Sequence, residues 1–193
     1  KCAVLIDNMN IEAVADCSGY GFPFAETFDT NGLDCWGNFD EDGDGYSWLL
    51  GTGRTGLGAK SESFGEGGAR NPDNWLISPE ISLPTSVSED DFELQLSWYV
   101  MSFSSTWPEH YGVYISSTGD TPADFTTKIY EGESTADFKK MTVSLMDYLG
   151  QTVRIAFRHY DSSDKWAFTI DDVEIDEYVP APSPCPPITE FPY

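Results

Sequence analysis

Asp40, Asp42 and Asp44 alternate through the run NFDEDGDGYSW, residues 38–48, with Gly43 and Gly45 among them. Carboxylates spaced this way in a glycine-rich turn bring several hard oxygen ligands together, the donor set of calcium. In a calcium hand these positions hold the first three side-chain ligands and the invariant glycine, but the twelfth, which needs a bidentate glutamate, is Gly51 here. The flank that follows, WLLGTGRTGLG, is punctuated by glycines and cannot hold the second helix of such a hand. The loop therefore reads as a structural metal site with no sensor geometry, against the plainer reading of a solvated acidic turn.

Nucleophilic and acid–base chemistry find less support. The two histidines, His110 and His159, each sit in an alternating apolar segment, where an imidazole is more often a satisfied structural group than a catalyst. No G-x-S-x-G elbow is present, and Cys35 has no local motif that would pair it with a histidine. The EIDE run at 174–177 has the alternating carboxylates of a glycosidase strand only in part, because Glu177 follows Asp176 directly. No catalytic residue is assigned, and the chain is expected not to be an enzyme. A different chemistry is offered by aromatic side chains in polar loops. Phe103 and Trp107 in YVMSFSSTWPEHY (99–111) and Trp166 in DSSDKWAF are candidate platforms for a glycan, provided that both tryptophans are exposed and coplanar; the alternative is that they cover the end of the core.

The elements that must position these residues are strands. FELQLSWYV (92–100), HYGVYIS (110–116), KKMTVSL (139–145), TVRIAFRHY (152–160) and AFTIDDVEI (167–175) alternate and are rich in Val, Ile, Tyr and Phe. Turn clusters such as SSTGDTPAD and DSSD separate them at the spacing of a sandwich. Helical periodicity is confined to single turns at TPADFT and LMDYLG. In NPDNWLISPEISLP (71–84), Trp75, Leu76 and Ile77 enter a strand that Ser78-Pro79 breaks, and Trp75 reads as core. The fold class is all-β, an antiparallel sandwich.

The bulk numbers limit the partners. With 33 acidic and 10 basic residues in 193, the formal charge of −23 argues against nucleic acid and against anionic membrane surfaces. At 40% hydrophobic and 15% aromatic residues the chain is not disordered, and divalent cations would relieve part of its self-repulsion, as suits an extracellular or cell-surface setting. Cys2, Cys17, Cys35 and Cys185 include no C-x-x-C pair, which argues against a zinc knuckle or redox dithiol; a Cys17–Cys35 disulfide is one of several open pairings. No apolar run is long enough to span a bilayer, and KCAVLIDNMNIEAVAD lacks the apolar run of a signal peptide; if the protein is exported, its signal has been removed or lies outside this sequence.

The head of the chain echoes its tail. AVLIDNMNIEAVADC (3–17) aligns with AFTIDDVEIDEYV (167–179), matching Ala3, Ile6, Asp7, Ile11 and Val14 to Ala167, Ile170, Asp171, Ile175 and Val179 with one slip. A repeat of this kind suggests a tandem array. Residues 1–19 are then the end of a preceding module or an added edge strand, 20–178 the domain, and 179–193 a proline-rich linker or the start of a following module.

NPDNWLISPEISLP, EHYGVYISSTGD (109–120) and RIAFRHYDSSDKWAFTIDDVEI (154–175), with DEDGDGYSW and ETFDTNG (26–32), resemble the cleaved-adhesin family, the haemagglutinin/adhesin modules attached to gingipain-type proteases. The resemblance covers about residues 20–178 in order. It implies a jelly-roll sandwich like those of carbohydrate-binding modules, structural calcium, and adhesion to a host or matrix protein or a glycan beside neighbouring modules of the same polypeptide. Strand alternation aims Asp171 and Asp172 at opposite faces, where the inward one needs a neutralising partner. Similar modules pair such an aspartate with a first-strand glutamate, here Glu26, so a calcium ion between Glu26 and Asp171 or Asp172 is expected to staple the domain's ends.

Overall fold

The computed structural model describes Cys17 and residues 20–179. The head-to-tail echo, Cys2, Cys185 and the proline-rich tail fall wholly or partly outside these residues. Two antiparallel sheets face one another across an apolar interior, a jelly-roll sandwich without an α-helix among the described residues. The first sheet runs β12 (Lys139–Ser144), β9 (Glu93–Ser102), β14 (Ala167–Tyr178), β4 (Leu57–Glu62) and β3 (Leu49–Thr52), with β1 (Phe24–Glu26) also on β14. The second runs β11 (Thr127–Glu133), β10 (His110–Ser116), β13 (Thr152–His159), β7 (Asn74–Ile77) and β2 (Gly37–Asp40), with β8 (Ile81–Ser82) also on β13. A small hairpin of β5 (Phe64–Gly65) and β6 (Gly68–Ala69) stands apart. The two expected helical turns are 3-10 turns at Pro122–Asp124 and Met146–Tyr148.

Period-two alternation builds the interior. β9 sends Leu94, Leu96, Trp98 and Val100 inward, and β10 and β13 answer with Tyr111, Val113, Ile115, Val153, Ile155 and Phe157. Trp98 is the hub. Its ring meets Tyr111, Tyr130 and Phe157 edge-on or nearly so, and its indole N–H donates to the Tyr111 hydroxyl at 3.1 Å. A buried ring of this size contributes several kcal/mol, and its polar atom needs the partner that Tyr111 supplies. Burial pushes the Tyr111 phenol well above its ordinary range, so it stays neutral. Trp75 is buried, as expected, but in a second cluster with Tyr114 and Phe125 outside the main interior.

β14 departs from strict alternation. Its residues 167–173 are all buried; β9 pairs with 168–171 and 174–178 on one edge, while β4 pairs with 167–170 and β1 with 173–175 on the other. Where that second partner changes, the register slips between Asp171 and Glu174 and Asp172 takes a φ of 46°. This β-bulge overturns the expectation that Asp171 and Asp172 face opposite sides, since the extra residue breaks the two-residue period on which it rested. Asp171 Oδ2 instead accepts the backbone N–H of Arg54 at 2.7 Å, while Asp172 Oδ2 takes the Arg54 side-chain Nε at 2.5 Å. Both carboxylates hold the turn that joins β3 to β4.

Candidate functional site

Two features draw chemistry to one end of the sandwich. The first is the acidic loop after β2. Gly43 and Gly45, at φ of 72° and 85°, make the backbone reversal that few other residues tolerate. The reversal folds the chain back on Asp40, whose two oxygens accept the Gly43 and Gly45 N–H groups at 2.8 Å each. Asp44 caps Tyr46 N–H at 2.8 Å and Asp42 takes Asp73 N–H at 3.1 Å. One oxygen from each of Asp40, Asp42 and Asp44 then lies within 4.8 Å of the others. Partial burial, a hydrogen bond to Asp40 and the charges of Asp44 and Asp40 push the Asp42 carboxyl up, against the pull of Asp73 N–H. Partial burial would also raise Asp40, but the N–H groups of Gly45 and Gly43 hold it below its usual range. Crowded carboxylates with oxygen donors alone fit a hard divalent cation, and these three residues are the ones that would hold it.

The staple residues have other partners. Glu26 lies opposite Val173 on β14, two residues along from Asp171. Its buried carboxylate accepts the Phe28 N–H at 2.7 Å, the Tyr20 hydroxyl at 3.0 Å and the Trp36 indole N–H at 3.3 Å. Burial raises the Asp171 carboxyl, while the N–H groups of Asp172 and Arg54 draw it down. Glu26 and Asp171 thus each have protein donors, from different parts of the chain. Asp29, not singled out in the sequence, accepts the Leu57 N–H at 2.8 Å and lies so close to Gly56 (φ 68°) that a side chain there would collide with it. Asp29 and Asp171 therefore hold the 53–57 turn from two sides.

The second feature is a cleft of about 950 Å³ beside the acidic loop. Trp107, from the β9–β10 connection, and Trp166, from the β13–β14 connection, line it and remain 58% and 53% exposed. Phe64 of the β5–β6 hairpin and Tyr46 of the acidic loop complete its aromatic lining, and both are exposed. Phe103 is not part of the wall; it packs behind Trp166 at 6.3 Å between ring centroids. Sequence reasoning missed Tyr46 and Phe64, for which the only signal was an aromatic in a turn-rich stretch. Arg70 ties the parts together: its guanidinium lies 3.5 Å from the Tyr46 ring centroid and donates to Glu62 at 2.7 Å. Lys60 also donates to Glu62, at 2.7 Å, and these two cations hold the Glu62 carboxyl low despite its partial burial.

Trp166 is exposed by construction. Its φ of 128°, with Asp161 at 51° and Asp164 at 56°, marks a loop held in left-handed backbone that non-glycine residues avoid. The Trp166 carbonyl accepts both Ser63 N–H at 2.8 Å and Phe64 N–H at 3.0 Å, fixing that conformation.

Below the cleft lies a buried polar chain. Ser61 Oγ meets His159 Nδ1 at 2.7 Å, His159 Nε2 meets Glu109 Oε2 at 3.2 Å, and Ser63 Oγ donates to Glu109 Oε1 at 2.7 Å. The residue types are those of a serine hydrolase, but the imidazole is reversed, with Nδ1 toward the serine and Nε2 toward the carboxylate, and Ser61, His159 and Glu109 are fully buried, out of a substrate's reach. Burial holds the His159 imidazole below the ordinary histidine range, against the opposing pull of Glu109. Cys35 is bonded to Cys17 as a disulfide and is no nucleophile.

Comparison with known proteins agrees with the fold. The Cleaved Adhesin Domain family model matches residues 22–175. The chain is 33% identical over 180 residues to Hemagglutinin A of Porphyromonas gingivalis, covering 78% of this chain and 7% of that protein. It is 32% identical over 176 residues to Lys-gingipain W83 of the same organism, covering 80% and 10%. This chain thus spans a tenth or less of the length of these two relatives. The crystal structure of the K1 cleaved adhesin domain of Lys-gingipain superposes with a TM-score of 0.68 at 31% identity, covering 79% of this chain and 96% of that one. The K2 domain gives 0.65 at 27% identity, covering 80% and 97%. With its family motifs, its two-sheet sandwich and these relatives in agreement, the chain belongs to the cleaved adhesin domain family.

Proposed function

We propose that this chain is a non-catalytic adhesive module of an extracellular or cell-surface bacterial polypeptide. It works beside neighbouring modules and binds a host or matrix protein or glycan through the Trp107–Trp166 cleft. The observation that carries the reading is the pair of tryptophans left more than half exposed on one concave surface (58% and 53%), where apolar area is costly unless a ligand covers it. The two nucleophile candidates singled out argue for binding without turnover, since Ser61 is buried and Cys35 is in a disulfide. In the same reading the 40–45 loop holds calcium as a structural ion and steadies Tyr46, the loop's contribution to the cleft wall.

The name of Hemagglutinin A points to an assay. Beads coated with the module should bind erythrocytes, and Trp107→Ala with Trp166→Ala should abolish the binding while Lys140→Ala, on the far β12 strand, leaves it intact. Equal binding by the double variant would overturn the cleft as the adhesive surface.

A further inference from the structure

The charge balance around the cleft points to one class of ligand. We infer that the cleft binds a neutral oligosaccharide, a step that rests on the cleft being the adhesive surface.

Two kinds of group meet there. The bare faces of Trp107, Trp166 and Phe64 are flat, apolar and negative at the ring centre. A pyranose ring offers a matching face of C–H bonds whose hydrogens carry slight positive charge, and it keeps its hydroxyls at the edge. Around the rings stand Glu66, Asp164 and Lys165, none joined to another protein charge by an ion pair among the described residues. They supply hydrogen-bond acceptors and donors beside the rings, the groups that hydroxyls pair with.

Two charged occupants are the alternatives. A lysine or arginine side chain would seek an open aromatic face beside an unpaired carboxylate. At Tyr46 that position is filled by Arg70, whose carboxylate Glu62 is shared with Lys60; beside Trp166 stand Glu66 and Asp164 with Lys165, so a cationic side chain is the competing occupant, and the deca-lysine peptide in the test separates the two. Lys165 adds a second cation to the wall. An anionic glycan or a sulfated chain would approach a chain of formal charge −23 against its field. Bare ring faces ringed by donors and acceptors of both charges match a ligand with apolar faces, many hydroxyls and no charge. The cleft's volume of about 950 Å³ lies at the upper end of ordinary small-ligand sites, room for more than one sugar unit.

The test pairs two measurements. The module is applied to an array of neutral and sialylated oligosaccharides and to a deca-lysine peptide, as wild type, Trp107→Ala, Trp166→Ala and Trp166→Phe, each first shown to melt as the wild type does. The inference expects binding to neutral glycans alone, weakened about tenfold or more by either alanine variant and less by Trp166→Phe. Binding to the peptide or to sialylated glycans instead, or to none of the probes, overturns it. In parallel, erythrocytes are first desialylated with sialidase and then oxidised with periodate under conditions that cleave the ring diols of neutral sugars, with desialylated, unoxidised cells as the control in the bead assay. Lost adhesion supports the inference. Adhesion that survives periodate yet still depends on Trp107 and Trp166 overturns the glycan and leaves the adhesive cleft standing. Adhesion indifferent to both tryptophans overturns both.

Discussion

Glu109→Gln is the sharpest perturbation of the interior beneath the cleft. The Glu109 carboxylate takes Ser63 Oγ–H on one oxygen at 2.7 Å and His159 Nε2–H on the other at 3.2 Å. His159 is thereby fixed as the tautomer whose Nδ1 accepts from the Ser61 hydroxyl at 2.7 Å, and Ser61 in turn accepts from Asn74 Nδ2 at 3.2 Å. Glutamine keeps the shape but has one acceptor oxygen. If that oxygen serves His159, the amide NH2 must face Ser63. Ser63 can accept it only by turning its own proton to where no partner waits, since Ser63 Oγ already receives the Lys165 N–H. One orphaned buried donor costs about 1–3 kcal/mol, and exchanging a charge-assisted bond for a neutral one adds about 1 kcal/mol. The expected loss is about 2–4 kcal/mol, read as a fall of roughly 4–16 °C in melting temperature for a domain of this size. The assay is calorimetry with urea titration at pH 7. An unchanged midpoint would refute the hydrogen-bond arrangement on which the reasoning rests.

Four further outcomes are expected. Calcium should raise the melting temperature, by an amount corresponding to about 2.7 kcal/mol at a hundredfold excess over the dissociation constant, and Asp42→Ala with Asp44→Ala should remove that gain; a melt unmoved by chelator would remove calcium from the account. His159, its pKa lowered by burial, should make stability pH-dependent: the unfolded imidazole takes a proton below about pH 6.5 and the folded one resists, so stability is full above that value and falls as pH drops, by at most about 1.4 kcal/mol per unit. A urea midpoint flat from pH 7 to 5 would contradict it. Asp171→Ala should cost about 2–4 kcal/mol by orphaning the Arg54 and Asp172 N–H groups, measured by urea unfolding, with a loss below 1 kcal/mol counting against the clamp. Ser61 should not react with a fluorophosphonate probe under native conditions; covalent labelling at Ser61 would defeat the non-catalytic reading.

Much of the fold was legible because its strands alternate. HYGVYIS forms β10 over the expected residues, 110–116, and the other four long segments match observed strands with shifts of up to three residues at their ends. What failed was the extension of alternation through Asp171 and Asp172. The bulge there answers a change of neighbour from β4 to β1, and a change of neighbour leaves no mark on the strand's own sequence. The cleft was legible in part. Trp107 and Trp166 stand out as tryptophans in polar loops, whereas Phe64 gains its role from a two-residue strand in a hairpin. Tyr46 gains its place from Arg70, 24 residues away in the chain. The Ser61–His159–Glu109 chain joins groups 98 and 50 residues apart, a meeting that only tertiary structure creates.

The central claim is that ligand covers the Trp107–Trp166 cleft. Hydroxyl-radical footprinting reads that surface directly, by comparing the free module with the module bound to erythrocytes. The account predicts that oxidation of Trp107, Trp166 and Phe64 falls sharply on binding while exposed Tyr178, at the C-terminal end of β14, is oxidised as before. Unchanged oxidation of both tryptophans in the bound module, with protection elsewhere on the surface, would contradict it.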